Sequence, residues 1–186
     1  MITQVPLRTS STFQNLDGDT KTWVIELQGQ SQLGNLGLNF TAAWIHSELG
    51  EDLIFDTTLA RLIDTGGLQI PWCPEYTFNA GAQYDFHLPG DWVVTPRVQY
   101  SWVDEQTVTA TDRVVNGIPI DRIFEHDIVN ATLTAVSGPW NAQLYVTNLN
   151  EEEYIQAHSG SPNDPDAYAN EPRIYGLRVT YDFGKQ

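Results

Sequence analysis

Cysteine is almost absent: Cys73 stands alone, so no internal disulfide can hold the chain together. Lysine and arginine are scarce as well, nine against 24 aspartates and glutamates. The resulting net charge of −15, with no basic cluster, excludes a nucleic-acid binder. No run of about 18 apolar residues occurs, which rules out a transmembrane helix. Membrane β-strands escape that test, because each needs only about 9 to 11 residues and alternates apolar with polar. A mean hydropathy of −0.31 therefore decides nothing between water and lipid. There is no G-x-S-x-G, H-E-x-x-H, phosphate-binding glycine loop or C-x-x-C, so nothing points to an enzyme or a bound cofactor. The opening, Met1 to Arg8, has neither the basic nor the apolar region of a secretion signal. A secreted barrel needs one, so a barrel reading requires this chain to be the downstream piece of a longer protein.

What the chain has in quantity is aromatic residues, 6 Trp, 8 Tyr and 7 Phe, set into period-two patterns. Glu75 to Phe86 alternates most cleanly, with Tyr76, Phe78, Ala80, Ala82, Tyr84 and Phe86 against Thr77, Asn79, Gly81, Gln83 and Asp85. The last stretch does the same, with Tyr175, Leu177, Val179, Tyr181 and Phe183 against Gly176, Arg178, Thr180 and Asp182. Five more runs, over 21–32, 36–44, 92–102, 127–135 and 140–147, bring the expected strands to seven. Pro96, in mid-strand, demands a bulge. Leu53 to Ile63 reads as a short helix or an extra hairpin.

The connections sort themselves: short at 33–35, 87–91 and 137–139, long at 47–73, 104–122 and 149–171. Outer-membrane barrels have short periplasmic turns and long extracellular loops, whereas a soluble sandwich has no reason to separate them. Trp23, Trp44, Tyr76, Phe86, Trp92, Trp102, Trp140, Tyr175 and Phe183 fall at strand ends, where interfacial girdles lie. The expected fold is all-β, an antiparallel up-and-down transmembrane β-barrel segment. Seven strands do not close a bacterial barrel, so further strands are expected elsewhere.

Near the C-terminus the residues carry a resemblance. Val146-Thr147-Asn148-Leu149 with Tyr154, then Pro172-Arg173-Ile174-Tyr175-Gly176, ending in Tyr181-Asp182-Phe183, resembles the terminal signature of TonB-dependent outer-membrane receptors. In that family a V-x-N-L strand end and a nearby Tyr are followed by a long outer loop and a P-R-x-Y-G…Y-x-F strand. The resemblance implies a barrel of roughly 22 strands plugged by an N-terminal domain, with residues 1–186 as the C-terminal portion of the barrel and the plug lying outside it. It implies active uptake of a scarce nutrient, above all a ferric siderophore, energised by TonB in the outer membrane of a Gram-negative cell. Implied partners are outer-membrane lipid, the rest of the barrel, the plug, TonB, and the assembly machinery that reads the last strand. The family usually ends on an aromatic residue, whereas Gly184-Lys185-Gln186 follow Phe183 here.

For ligand contacts the outer loops offer His46, His126 and His158 with Tyr154 and Tyr168; each reads equally as a solvated loop or girdle residue. His87 falls in a short turn. Glu151-Glu152-Glu153 and Asp164-Pro165-Asp166 lack the spacing of a calcium loop and read as solvated acid. Arg97 and Arg178, on polar faces, are expected in ion pairs with Glu26 or Asp85. Two other readings remain open: a passive porin-like barrel, and a soluble β-sandwich that binds carbohydrate through its aromatics.

Overall fold

The fold is that of a computed structural model describing residues 17–56, 59–161 and 164–184, with backbone alone at 118, 158–161 and 164–166. All regular elements among them are strands: β1 (Lys21–Leu33), β2 (Leu36–Glu48), β3 (Leu53–Asp56), β4 (Arg61–Asp64), β5 (Tyr76–Tyr84), β6 (Phe86–Leu88), β7 (Trp92–Val103), β8 (Gln106–Thr107), β9 (Val114–Val115), β10 (Ile118–Pro119), β11 (Arg122–Ile123), β12 (His126–Ser137), β13 (Trp140–Thr147), β14 (Ile155–Ser161), β15 (Asp164–Ala169) and β16 (Ile174–Tyr181). One antiparallel sheet runs β1-β2-β5-β7-β12-β13-β16, with β6 continuing beside β7, and its edge strands β1 and β16 do not meet. The seven expected strands are these seven, each paired with its neighbour in sequence order.

Register turns the period-two pattern into two faces. Ile25 lies opposite Trp44, Trp44 opposite Tyr76, Phe78 opposite Trp102, Leu133 opposite Leu144, and Leu144 opposite Leu177. These large residues share one side of a single sheet and stay exposed: Leu144 at 53%, Leu177 at 64%, Phe78 at 37%. Ile123, in a loop, is the one buried hydrophobic residue among those described. Among the described residues a second apolar layer is therefore absent, and the dry centre of a sandwich with it.

Aromatics edge this face at both ends. Trp23, Trp44, Tyr76, Trp102 and Tyr175 stand at the long-loop end; Tyr84, Phe86, Trp92, Trp140 and Tyr181 stand at the short-turn end. Aliphatic and small residues make up most of the band between them, with Phe40, Phe78 and Tyr100 among them. From Tyr76 to Phe86 the chain advances about 33 Å at a strand's rise. At a tilt of about 40° that projects to about 25 Å, the height of a barrel's apolar band.

Pro96 needs no bulge. Gln83 faces Arg97 and Phe86 faces Val94, so no residue is inserted, and the opposite register with β12 runs unbroken through Leu133. The missing donor instead leaves a break in the pairing with β7 at Tyr84–Asp85, while on the other side the Asp85 amide extends the β2 ladder by donating to the Asn35 carbonyl at 2.9 Å. His87 is in β6 opposite Val93, not in a turn, and the turn shrinks to the residues around Gly90 and Asp91, both at positive φ. Leu53–Asp56 and Arg61–Asp64 pair as the hairpin alternative, β3–β4. Short ladders β8–β11, β9–β10 and β14–β15 build the other two long loops.

Opposite the apolar face the side chains are polar and bonded across strands. Ser101 donates to Asn79 at 2.6 Å and Thr95 to Asp85 at 2.6 Å. Arg97 does not pair with Glu26 or Asp85: it donates to Gln83 and Asn39, each at 2.9 Å. The reason is Gly81, whose missing Cβ leaves the guanidinium a path, since a methyl there would stand 2.9 Å from Nη2. Arg178 faces Gln143 and has no ion pair among the described residues. Gly176 is covered by the Tyr145 ring, which occupies the space its Cβ would need, so glycine there admits the aromatic from the neighbouring strand.

Candidate functional site

At the long-loop end, three loops rise from the sheet. The third is held by a cluster of asparagines. Asn148 ends β13 at φ 52°, a conformation that asparagine tolerates better than most residues. Its side chain is 5% exposed and fully bonded: Oδ1 accepts from the Glu152 amide at 2.8 Å, and Nδ2 donates to the carbonyls of Glu152 at 2.9 Å and Glu171 at 3.1 Å. Its own amide donates to Asn130 Oδ1 at 3.0 Å. Asn170 donates to Glu152 O at 2.9 Å and accepts from the Tyr154 amide at 3.0 Å. Asn150 accepts from the Val129 amide at 3.0 Å and donates to Asp127 O at 3.0 Å. Both ends of the loop, near 150 and 171, are thus stitched to the same residues.

Arg173 completes the latch. It donates to Leu149 O at 3.3 Å, pairs with Glu151, and sits 5.5 Å from the centre of the Tyr175 ring. Pro172 precedes it, and Tyr175 continues into β16 on the apolar face. The residues of the terminal resemblance (Asn148, Leu149, Pro172, Arg173, Tyr175 and Gly176) thus lie at one joint, while Tyr181 and Phe183 stand at the other end of β16, ring centroids 4.7 Å apart.

Tyr154 and His126 come together, their rings stacked at 3.7 Å and 14°. Burial pushes the Tyr154 hydroxyl up from its usual range. His46 is elsewhere: it shares the apolar side with Trp44 and Trp23 and stacks on both, at 6.1 Å and 5.5 Å, with Glu48 at 3.1 Å from Nε2. Parity along β2 could have revealed this, since His46 follows Phe40, Ala42 and Trp44 two by two. Tyr168 is exposed on β15. The side chain of His158, on β14, lies outside the described residues, as do those of Asp164 and Asp166.

The first and second loops join through carboxylates that sequence gave no reason to single out. Asp56, 2% exposed, accepts from Thr111 Oγ1 at 2.6 Å, from Arg113 Nε at 2.6 Å and from the Leu59 amide at 2.9 Å. Burial pushes its carboxyl up, but these bonds and the arginine charge outweigh it and hold the group at about 2, against the usual 3.8. Asp121 takes the Arg113 amide at 2.9 Å and the Thr109 hydroxyl. Arg122 forks onto Asp112 at 2.9 and 2.7 Å and reaches Glu105 at 2.7 Å. Its bonds pull the Asp112 carboxyl down, despite burial.

A depressed carboxylate stabilises the fold above its unfolded value and loses that contribution as pH falls through the folded one. The Asp56 junction should therefore be intact above about pH 4 and lose about 2 kcal/mol on acidification towards pH 2. Hydrogen exchange at the Leu59 and Thr111 amides, corrected for its intrinsic pH dependence, should rise across that window, and Asp56→Asn should abolish the dependence.

A one-layer sheet, greasy on one side between aromatic rims and polar on the other, with short turns at one end and long loops at the other, is part of a transmembrane β-barrel. Residues 1–149 match the family described as "TonB dependent receptor-like, beta-barrel", and the chain belongs to that family. Three solved structures share the fold. The ferric yersiniabactin uptake receptor FyuA from Yersinia pestis matches with a TM-score of 0.72 at 17% identity, over 89% of this chain and 24% of its own. The siderophore receptor PiuA from Acinetobacter baumannii gives 0.68 at 17%, over 88% and 22%. BauA, the ferric preacinetobactin receptor from the same organism, gives 0.68 at 19%, over 90% and 23%. The chain thus spans about a quarter of the solved receptors it resembles. Comparison with curated proteins gave no match.

Proposed function

We propose that this chain is the C-terminal part of an outer-membrane receptor that takes up a ferric siderophore, energised through TonB, in a Gram-negative cell. The observation that carries the reading is the unbacked apolar face between two aromatic rims, set against a hydrogen-bonded polar wall beneath long loops, in a chain of this family. Lipid meets the apolar face. The edges of β1 and β16 pair with the remaining strands of the barrel, and the polar wall faces a plug domain carried elsewhere. The final strand is what the assembly machinery reads. The role is transport, not catalysis.

Among candidate ligand contacts, the third loop supplies Tyr154, His158 and Tyr168, and His126, at the start of β12, stacks on Tyr154. The stack of His46 on Trp23 and Trp44 suits it to the membrane interface instead. The siderophore names of the solved structures support iron as cargo.

The test uses the complete receptor gene. Under iron restriction, its deletion should abolish growth on at least one ferric siderophore, complementation should restore it, and a strain without functional TonB should lose it. Growth or iron uptake that persists without TonB would return the barrel to the passive, porin-like class.

A further inference from the structure

Between the first and second outer loops lies a cavity of about 640 Å³ whose wall carries five carboxylates. Glu75, Asp104, Glu105, Asp112 and Glu125 line it; Arg122 is its one arginine or lysine, and His46, 3.1 Å from Glu48, and Gln106 also stand in the wall. That arginine is committed to Asp112 and Glu105, and the amide of Gln69, also in the wall, is committed to the Cys73 carbonyl at 2.6 Å. Glu125 has no hydrogen-bond or ion-pair partner among the described residues. Thr107 stands in the same wall at 4% exposure, and its hydroxyl is the one buried side-chain polar atom among the described residues without a partner.

An unpaired buried hydroxyl is destabilising, and its oxygen can accept a bond from a guest with donors to spare. No three His, Cys, Asp or Glu among the described residues stand close enough to hold a metal ion. The carboxylates are too dispersed for a bare ion and suit a larger cation. The wider field agrees, because residues 49–75, 104–125 and 148–173 together hold sixteen Asp and Glu against four Arg, a distribution that repels anions.

We propose that this cavity binds a primary alkylammonium group. Resting on the uptake reading above, the cargo is then an iron complex bearing such a group, not an anionic one. An ammonium has three donors and no acceptor, the complement of a wall with spare carboxylate acceptors and no uncommitted arginine or lysine.

Matched probes isolate the charge. The complete receptor in outer-membrane vesicles is offered the ferric complex of desferrioxamine B, a trihydroxamate with a free terminal ammonium, and the ferric complex of its N-acetyl derivative. The ammonium form should bind at least about tenfold tighter, as expected for charge-assisted hydrogen bonds. Glu125→Gln and Thr107→Val should each narrow the ratio. Equal binding, preference for the acetylated form, or no binding of either overturns the proposal. TonB-dependent growth on a ferric tris-catecholate, an anion, would overturn the cationic cargo while leaving the uptake reading in place. Failure of every ferric siderophore to support receptor-dependent growth would overturn that reading itself.

Discussion

Asn148→Ala in the complete receptor is expected to lower stability by about 3–4 kcal/mol, seen as a lower urea midpoint in detergent and a lower temperature for loss of the compact electrophoretic form. Three side-chain bonds vanish, each worth about 1 kcal/mol net. Their partners are left unpaired at a site where Asn148 is 5% exposed, so water recovers little of the loss. Alanine at φ 52° adds about 1 kcal/mol of backbone strain. Asn148→Gly removes that strain and keeps the loss of bonds, so it should be milder than alanine by about that amount. Asn148→Asp keeps the acceptor for the Glu152 amide but turns a carboxylate towards two carbonyl oxygens, and should be as damaging as alanine. Wild-type stability in the alanine variant would mean that the joint at β13 and β16 does not hold the barrel's last hairpin.

That joint shows how far the sequence could be read. The order Asn148, Leu149, Tyr154, Pro172, Arg173 is visible as a motif, because the residues are fixed in spacing. Its physics is not visible, because it depends on Asn148 lying within hydrogen-bond reach of Glu152 and Glu171 at once. The strands were legible for a simpler reason: in a one-layer sheet with lipid on one side, every second residue reports its face, and the register repeats that report from strand to strand. Pro96 misled, since a missing donor can be absorbed on one side of a strand without an insertion. The loops carry no such period. Asp56, Thr111, Arg113 and Asp121 meet only because β3–β4 folds back beside the second loop, and their separation in sequence gives no warning. Arg97 was legible as a polar-face residue, but its partners depended on Gly81 leaving a path to Asn39.

Leu144→Arg should prevent or severely weaken assembly, while Gln143→Arg, one residue earlier on the same strand, should be tolerated. Leu144 lies between Leu133 and Leu177, mid-way between the aromatic rims, and is 53% exposed. If hydrocarbon covers it, an arginine there is destabilising by about 2–4 kcal/mol, since the guanidinium must be dragged to an interface. Gln143 faces Thr134 and Arg178 on the polar side, bonding Thr134 at 3.3 Å, where an added cation meets water and a nearby like charge that salt screens. The contrast between adjacent residues separates lipid from solvent better than either variant alone. If instead this face were wetted, as on a soluble sheet, arginine at 144 would be as harmless as at 143, and both variants would fold with equal heat resistance. Moving the same substitution to Trp44 or Tyr175, at the outer rim, should shrink the penalty to about 0–1 kcal/mol, because the cost of a charge falls towards the interfaces. A penalty that does not vary with position along the strand would deny the membrane its place on this face.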